Sequence, residues 1–223
     1  MSDFELIFTQ YNVSYIFAGV GMTLLIAAIT LLLGTIFGTV LAVCGTYGGK
    51  LLAGISEVYV EIFRNTPLLL WIFVAIAAVP LPSLLARALV ATVIFNSAII
   101  SEIIRGGLNS IPKGQLDAGM SQGFNFFQIL FYIVLPQTFR NIVPTLTSQS
   151  ITIIKDTSYL AQIGVLELMF RIKKLMSTAN TFTGHSITTE DVFILFATAA
   201  IIYFVINFSI SLFVRRHAAK NRI

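Results

Sequence analysis

A chain of 223 residues that is 57% hydrophobic and 11% charged, with a mean hydropathy of +0.89, carries more apolar surface than a water-soluble domain of that length can bury. Its apolar runs are long, whereas barrel strands would alternate over segments of about ten residues, so the class is all-α integral membrane with room for about four to six spans. The net charge of +4 falls on residues that flank the apolar runs, which points to membrane topology and lipid headgroups and away from nucleic acid.

The chain opens on MSDFEL, acidic and without the basic region of a secretory leader. Asn12-Val13-Ser14 matches a glycosylation sequon, a pattern common by chance. No charged residue lies between Glu5 and Lys50, and 15–43 reads as the first span. Gly34 and Gly38 stand there in G-x-x-x-G spacing, which lets a second helix approach closely. Cys44 is the single cysteine, so an internal disulfide and a cysteine metal site are excluded; near a span end, it is expected to be a small buried residue. The second span is expected over 51–79, interrupted by EIFRNTP and closed by Pro80-Leu81-Pro82. The third covers 83–104. The fourth covers 137–154, entered through Pro136 and containing Pro144. The fifth covers 191–214. Between the last two, SYLAQIGVLELMFRI should fold back as an apolar helix and STANTFTGHSITTE should form a surface loop.

Five spans put the termini on opposite sides, and Lys and Arg choose the side. With the N-terminus outside, the inner segments hold Lys50, Arg105, Lys113, Arg140, Arg215, Arg216, Lys220 and Arg222, and the outer ones hold Arg87, Arg171, Lys173 and Lys174. The expectation is N-terminus outside and C-terminus cytoplasmic, with the tail RRHAAKNR lying against anionic lipid.

That orientation places 111–136 inside. Ser110 and Pro112 suit a helix start, Asp117 would face the positive end of its dipole, and Gly123 suits its C-terminal cap over 116–122. Leu116 and Met120 are four apart and share a face. A second apolar helix, 124–134, would lead back to the membrane. A short helix pair held outside the bilayer needs a cytoplasmic partner to pack against.

The same stretch resembles the cytoplasmic signature of ATP-binding-cassette importer permeases, E-A-A-x3-G-x9-I-x-L-P. Asp117-Ala118-Gly119, Gly123, Ile133, Leu135 and Pro136 stand at that spacing, with Asp for Glu and Gly for the second Ala. The glycine costs roughly 1 kcal/mol of helix propensity relative to alanine. YVEIFRNTPLL, SEIIRGGLNSIPKGQ and LPQTFRNIVPTLTSQSITIIKDTSYLAQIGVLEL resemble the polar amino acid subgroup, with Asn65 where glycine is usual. The resemblance is close over 59–168.

It implies a single permease domain over 1–223, of the type I importer fold, multi-pass in a bacterial cell membrane and itself not an enzyme. It implies a partner ATPase dimer that binds ATP and Mg, a second permease copy or a similar permease, and an extracytoplasmic amino-acid-binding protein. The substrate would be a polar amino acid, glutamine or glutamate by preference. The helix 115–124 would couple to the ATPase through Leu116, Asp117, Ala118, Gly119, Met120, Gly123 and Phe124. The chain has no G-x-x-x-x-G-K-[ST] phosphate loop, so ATP would be bound elsewhere.

Ionisable residues inside spans are candidates for a substrate path. Glu61 with Arg64 and Glu102 with Arg105 have the i,i+3 spacing of pairs, and Lys155 and Asp156 lie near the outer end of the fourth span. Asn96, Gln149 and Thr152 could line the same path. The competing reading makes the charges self-neutralising pairs, and lets Thr147 and Ser148 bond carbonyls of their own helix. His185 and His217 have no metal-ligand company, and no acid–base or nucleophile constellation is present. An ion-coupled secondary transporter or channel acting alone would show internal repeats, and none is visible. A membrane scaffold would leave the paired charges unexplained.

Overall fold

Residues 8–183 and 188–220 are described by the computed structural model. The uncharged, mostly apolar run after Thr9 makes the longest element among the described residues, α1 (Gln10–Tyr47), started by Thr9 Oγ1 accepting the Asn12 N–H at 3.2 Å. It is followed by α2 (Lys50–Arg64), α3 (Leu68–Ala78), α4 (Leu84–Asn109), α5 (Lys113–Ser121), α6 (Phe126–Ile129), a π-turn (Leu130–Val134), α7 (Leu135–Asp156), a 3-10 stretch (Thr157–Ile163), α8 (Leu168–Thr183) and α9 (Thr189–Lys220). No strand occurs among the described residues. The acidic N-terminus and His185 lie outside them.

Four stretches are long and apolar enough to cross a bilayer, namely Gln10–Tyr47, Leu84–Asn109, Phe126–Ile163 and Thr189–Val214, and the bent pair α2–α3 makes a fifth if taken as one span. The second span expected over 51–79 is therefore not a straight helix: it turns by 105° between α2 and α3. The cause is local. Thr66 precedes a proline and is pushed out of helical geometry, and Pro67 has no N–H to donate. The exposed carbonyls are answered by side chains: Asn65 Nδ2 donates to Glu61 O at 2.9 Å and Thr66 Oγ1 to Ile62 O at 2.7 Å. Trp71 Nε1 donates to Thr66 Oγ1 at 2.7 Å and its ring meets Phe63, which braces the corner.

α1, α7 and the bent pair pack on α4. Thr30 meets Thr92 at 3.0 Å, and Gly34 and Gly38 bring α1 against Ile100 and the backbone of Ser97 and Ser101, so α1 and α4 run in parallel. A Cβ on Gly38 would stand 3.0 Å from Ser97 O, so this glycine is required by close approach. α7 is antiparallel to α4, since Thr138 and Ile142 pack on Gly107 whereas Gln149 pairs with Asn96. Ile16 packs with Leu195 and Ala199, and Thr23 and Tyr203 converge on Glu167, which sets α9 parallel to α1. Three spans thus run one way, and α7 and the bent pair return.

Three further expectations change. The helix expected over 124–134 and the span expected over 137–154 are one continuous helical run, Phe126–Ile163. Pro136 does not separate them, because the preceding π-turn widens the backbone where the proline ring would otherwise crowd the earlier carbonyl. The run 177–190, read as a loop, is helical up to Thr183. Cys44 is half-buried rather than buried.

Candidate functional site

The first cluster of candidate residues sits at the end where α1 and α4 finish. Helix α5 starts at Lys113 behind Pro112, so the helix expected over 116–122 begins three residues earlier. Ser110 does not start it: its Oγ donates to Gly107 O at 2.7 Å and closes α4 instead. Asp117 consequently falls beyond the first turn, and the dipole argument for it lapses. Gly123 does end the helix, at φ +84 in the left-handed region, with its N–H on Met120 O and the Phe124 N–H returning to Gly119 O at 3.1 Å. Asn125 then starts the next helix with a capping box, its Oδ1 accepting from Gln128 N at 3.0 Å and Gln128 Oε1 accepting from Asn125 N at 2.9 Å. That box was readable as N-x-x-Q and was missed.

Gly119 has a physical reason. It is buried, and a Cβ there would lie 2.9 Å from Ile129 Cγ1 and 3.2 Å from Ile133 Cδ1. The glycine lets α5 lie directly on the π-turn at the foot of α7. Leu116 packs inward on the same core, joined by Tyr47, whose ring meets Phe126 edge-on. Met120, Phe124 and Phe127 face outward, at 59%, 39% and 68% exposure. Ala118 and Asp117 are also exposed. The seven residues therefore split into an inward brace, Leu116 and Gly119, and an outward face.

Near the same end, the charges pair differently from the sequence spacing. Glu61 and Arg64 do not pair with each other. Glu61 Oε2 accepts from Asn65 Nδ2 at 2.6 Å, and Arg64 crosses to Glu102 Oε2 at 2.9 Å. Glu102 also holds Arg105, as its spacing suggested, through bonds of 2.7 and 2.8 Å. One carboxylate thus ties the bent span to α4. A cleft of about 130 Å³ opens beside it, lined among others by Glu57, Glu61, Glu102 and Arg105. No group of three or more metal-ligating side chains occurs among the described residues.

The second cluster lies along α7. Gln149 Nε2 donates to Asn96 Oδ1 at 2.9 Å, and Asn96 Nδ2 to Thr92 O at 2.9 Å, so Asn96 is buried and satisfied. Thr152 donates to Ser148 O at 3.2 Å, Ser148 to Pro144 O at 3.2 Å and Thr147 to Val143 O at 2.8 Å, each within its own helix. Thr145, Ser148, Thr152 and Lys155 nevertheless follow one another at helical spacing on a largely open face, and Tyr159 continues it. Lys155 is exposed and makes no ion pair among the described residues. Asp156 is half-buried on a different side of the helix.

Glu167 was not singled out from the sequence. It is fully buried, just before α8, and four donors converge on it: Met169 N at 2.9 Å, Phe170 N at 2.6 Å, Tyr203 Oη at 3.2 Å and Thr23 Oγ1 at 3.4 Å. Burial pushes its carboxyl above the ordinary glutamate range, and these hydrogen bonds oppose the shift. The signal was present, as one carboxylate in the apolar run GVLELMF, immediately before a helix start. Arg171 completes the contact, with Nη1 on Tyr15 O at 3.2 Å and its guanidinium 4.4 Å from the Tyr15 ring centroid.

Residues 34–223 match the family described as binding-protein-dependent transport system inner membrane component. The chain is 37% identical over 218 residues to the "probable glutamine ABC transporter permease protein GlnP" of Bacillus subtilis, covering 96% of this chain and 97% of that one. It is 34% identical over 215 residues to the glutamate/aspartate import permease protein GltK of Escherichia coli O157:H7, covering 91% and 92%. Among solved structures, an amino acid ABC transporter crystallised with histidines superposes with a TM-score of 0.76 at 24% identity, over 93% of this chain and 94% of that one, which shows the fold.

Proposed function

The chain belongs to the family of binding-protein-dependent transport system inner membrane components, and from that membership we propose that it is the permease subunit of an ATP-driven importer for polar amino acids, glutamine or glutamate first. The names of its relatives support the amino acid class. ATP and Mg bind a partner ATPase dimer, to which the exposed face of Asp117, Ala118, Met120, Gly123 and Phe124 couples. Leu116 and Gly119 brace that face from behind. The N-terminus lies outside, an extracytoplasmic binding protein delivers the amino acid, and a second copy or a similar permease completes the path.

The observation that carries the path is the stripe on α7. Thr145, Ser148, Thr152 and Lys155 form one largely open face of a span, and that face ends on an ionisable side chain. Such a face turns toward water or a partner. Lys155 then supplies a cation for the substrate carboxylate, and the hydroxyl row supplies neutral polar contacts beyond it. Gln149, held by Asn96, stands beside the row at mid-span.

Reconstitution with the candidate ATPase and binding protein tests the reading. Glutamine uptake should require ATP, and Lys155→Gln should cut it at least tenfold with the complex still assembled. Replacing Asp117 and Gly123 together should weaken ATPase docking. Uptake driven by an ion gradient without ATPase would replace this reading with a secondary transporter acting alone.

A further inference from the structure

The helical run Phe126–Ile163 changes geometry at the π-turn Leu130–Val134, where the Leu135 N–H bonds to Leu130 O. A π-turn holds one residue more than an α-turn, and each residue advances an α-helix by about 100°. The offset is visible in what is buried. In an unbroken α-helix, the face of Ile142, Thr138 and Leu135 would continue into Phe131 and Phe127, four and eight positions before Leu135. Ile142, Thr138 and Leu135 are buried, but Phe131 and Phe127 are 61% and 68% exposed. Leu130 and Ile129 are buried in their place.

That offset makes the seat of α5. Gly119 lies on Ile129 and Ile133, closely enough that a Cβ would overlap the first. If the same residues wound as an α-helix, α6 would be rotated by about 100° relative to α7. Ile129 would then leave Gly119, and the outward face of Met120 and Phe124 would lose its support. Two adjacent residues favour the wider turn. The ring of Pro136 would crowd Tyr132 O in an α-turn, and Pro136 has no N–H to offer that carbonyl. Gln137 Nε2 donates to Ile133 O at 2.8 Å, so a side chain supplies a donor beside the gap.

We propose that Pro136 and Gln137 are positioning residues for energy coupling: they hold the π-turn, and the π-turn sets the rotation of the α5 docking face relative to the α7 stripe. The inference rests on the coupling role given to α5. It differs from a purely structural role in predicting that the run can become more stable and less well coupled at once.

Pro136→Ala restores the N–H and removes the ring, so the run is free to wind as an α-helix. In the reconstituted complex it should leave the thermal midpoint equal or higher, and raise the ATP hydrolysed per glutamine taken up about threefold or more. Gln137→Met keeps the side-chain length, removes the donor and should raise the same ratio by a smaller factor. Deleting Tyr132, which is 74% exposed, from the Pro136→Ala chain puts Leu130 four positions before Leu135. That double variant keeps the native rotation in an unbroken α-helix, and its ratio should return to within about twofold of wild type. A second readout needs no transport: with Ile133→Cys in a Cys44→Ala background, labelling by a water-soluble maleimide should speed severalfold on adding Pro136→Ala. An unchanged ratio or labelling rate in a folded Pro136→Ala complex, or no recovery in the folded deletion variant, overturns the proposal. A wild-type complex that shows no ATP-dependent uptake sinks the importer reading, and the labelling rate still decides whether Pro136 sets the turn.

Discussion

The two ends of the bundle are held by different physics. At the end that carries α5, the contacts are made by shape: Gly119 admits Ile129, and Gly107 of α4 admits Thr138 and Ile142 of α7. At the end that carries α8, close packing of Gly19 on Leu168 is joined by directed hydrogen bonds, with Glu167 and Arg171 reaching α1 and α9. Shape contacts have no polar atom to leave unsatisfied, so they fail by overlap. The hydrogen-bonded end fails by an unmatched donor. Substitutions that add volume should therefore be the main way to break the first end, and substitutions that delete single polar atoms should be felt chiefly at the second.

The largest expected effect is at Gly107. Gly107→Val would drive its Cβ into Ile142 and to within 2.9 Å of Thr138 Cγ2, forcing α4 and α7 apart. Overpacking of this kind costs about 1–3 kcal/mol, and the thermal midpoint in detergent should fall with the amount recovered from membranes. Gly106→Val is the matched control. Nothing lies within 4 Å of a Cβ at that position, so it should keep most of the wild-type stability. Equal losses at the two sites would remove the argument that shape holds this end.

Gly119 should give a smaller effect of the same origin. Gly114→Ala, in open space on the same helix, should stabilise α5 by about 1 kcal/mol through propensity alone. Gly119→Ala should forfeit that gain to the 2.9 Å approach of Ile129. Trimming Ile129→Ala beside it should recover part of the loss, a coupling of at least ~0.5 kcal/mol in a double-mutant cycle of thermal unfolding. Additivity of the two changes would mean that the α5–π-turn contact does not set the glycine.

This contrast also explains what could be read from the sequence. The spans at α1, α4 and α9, the glycine approach on α1 and the cap at Gly123 depend on neighbours close in sequence or on composition, and they were legible. Gly119 stood out as a departure from a signature, but its reason did not, because Ile129 meets it only through the turn between α5 and the π-turn. The 105° corner was signalled by EIFRNTP, although its size depends on Trp71 and Phe63 closing over it. Glu167 was missed because its meaning lies in Thr23, 144 positions away, and Tyr203, 36 positions away. Side-chain pairing was legible only where partners share a helix: Glu102 with Arg105 followed from spacing, and Arg64 with Glu102 did not.

The Arg64–Glu102–Arg105 tie is the exception that sharpens the comparison, since it is a polar contact at the shape-held end. Its two arginines remain half in solvent, with side-chain exposures of 53% for Arg64 and 50% for Arg105, around a Glu102 that is 23% exposed. Water and salt compete for each partner, so a pair of this kind contributes between zero and about 1 kcal/mol. Glu102→Gln should accordingly lower the thermal midpoint less than either glycine substitution, and about 0.5 M salt should abolish the difference from wild type by screening. A loss as large as that at Gly107, persisting in salt, would mean that Glu102 anchors the bent span as firmly as packing does. The two ends of the molecule would then be held by the same means.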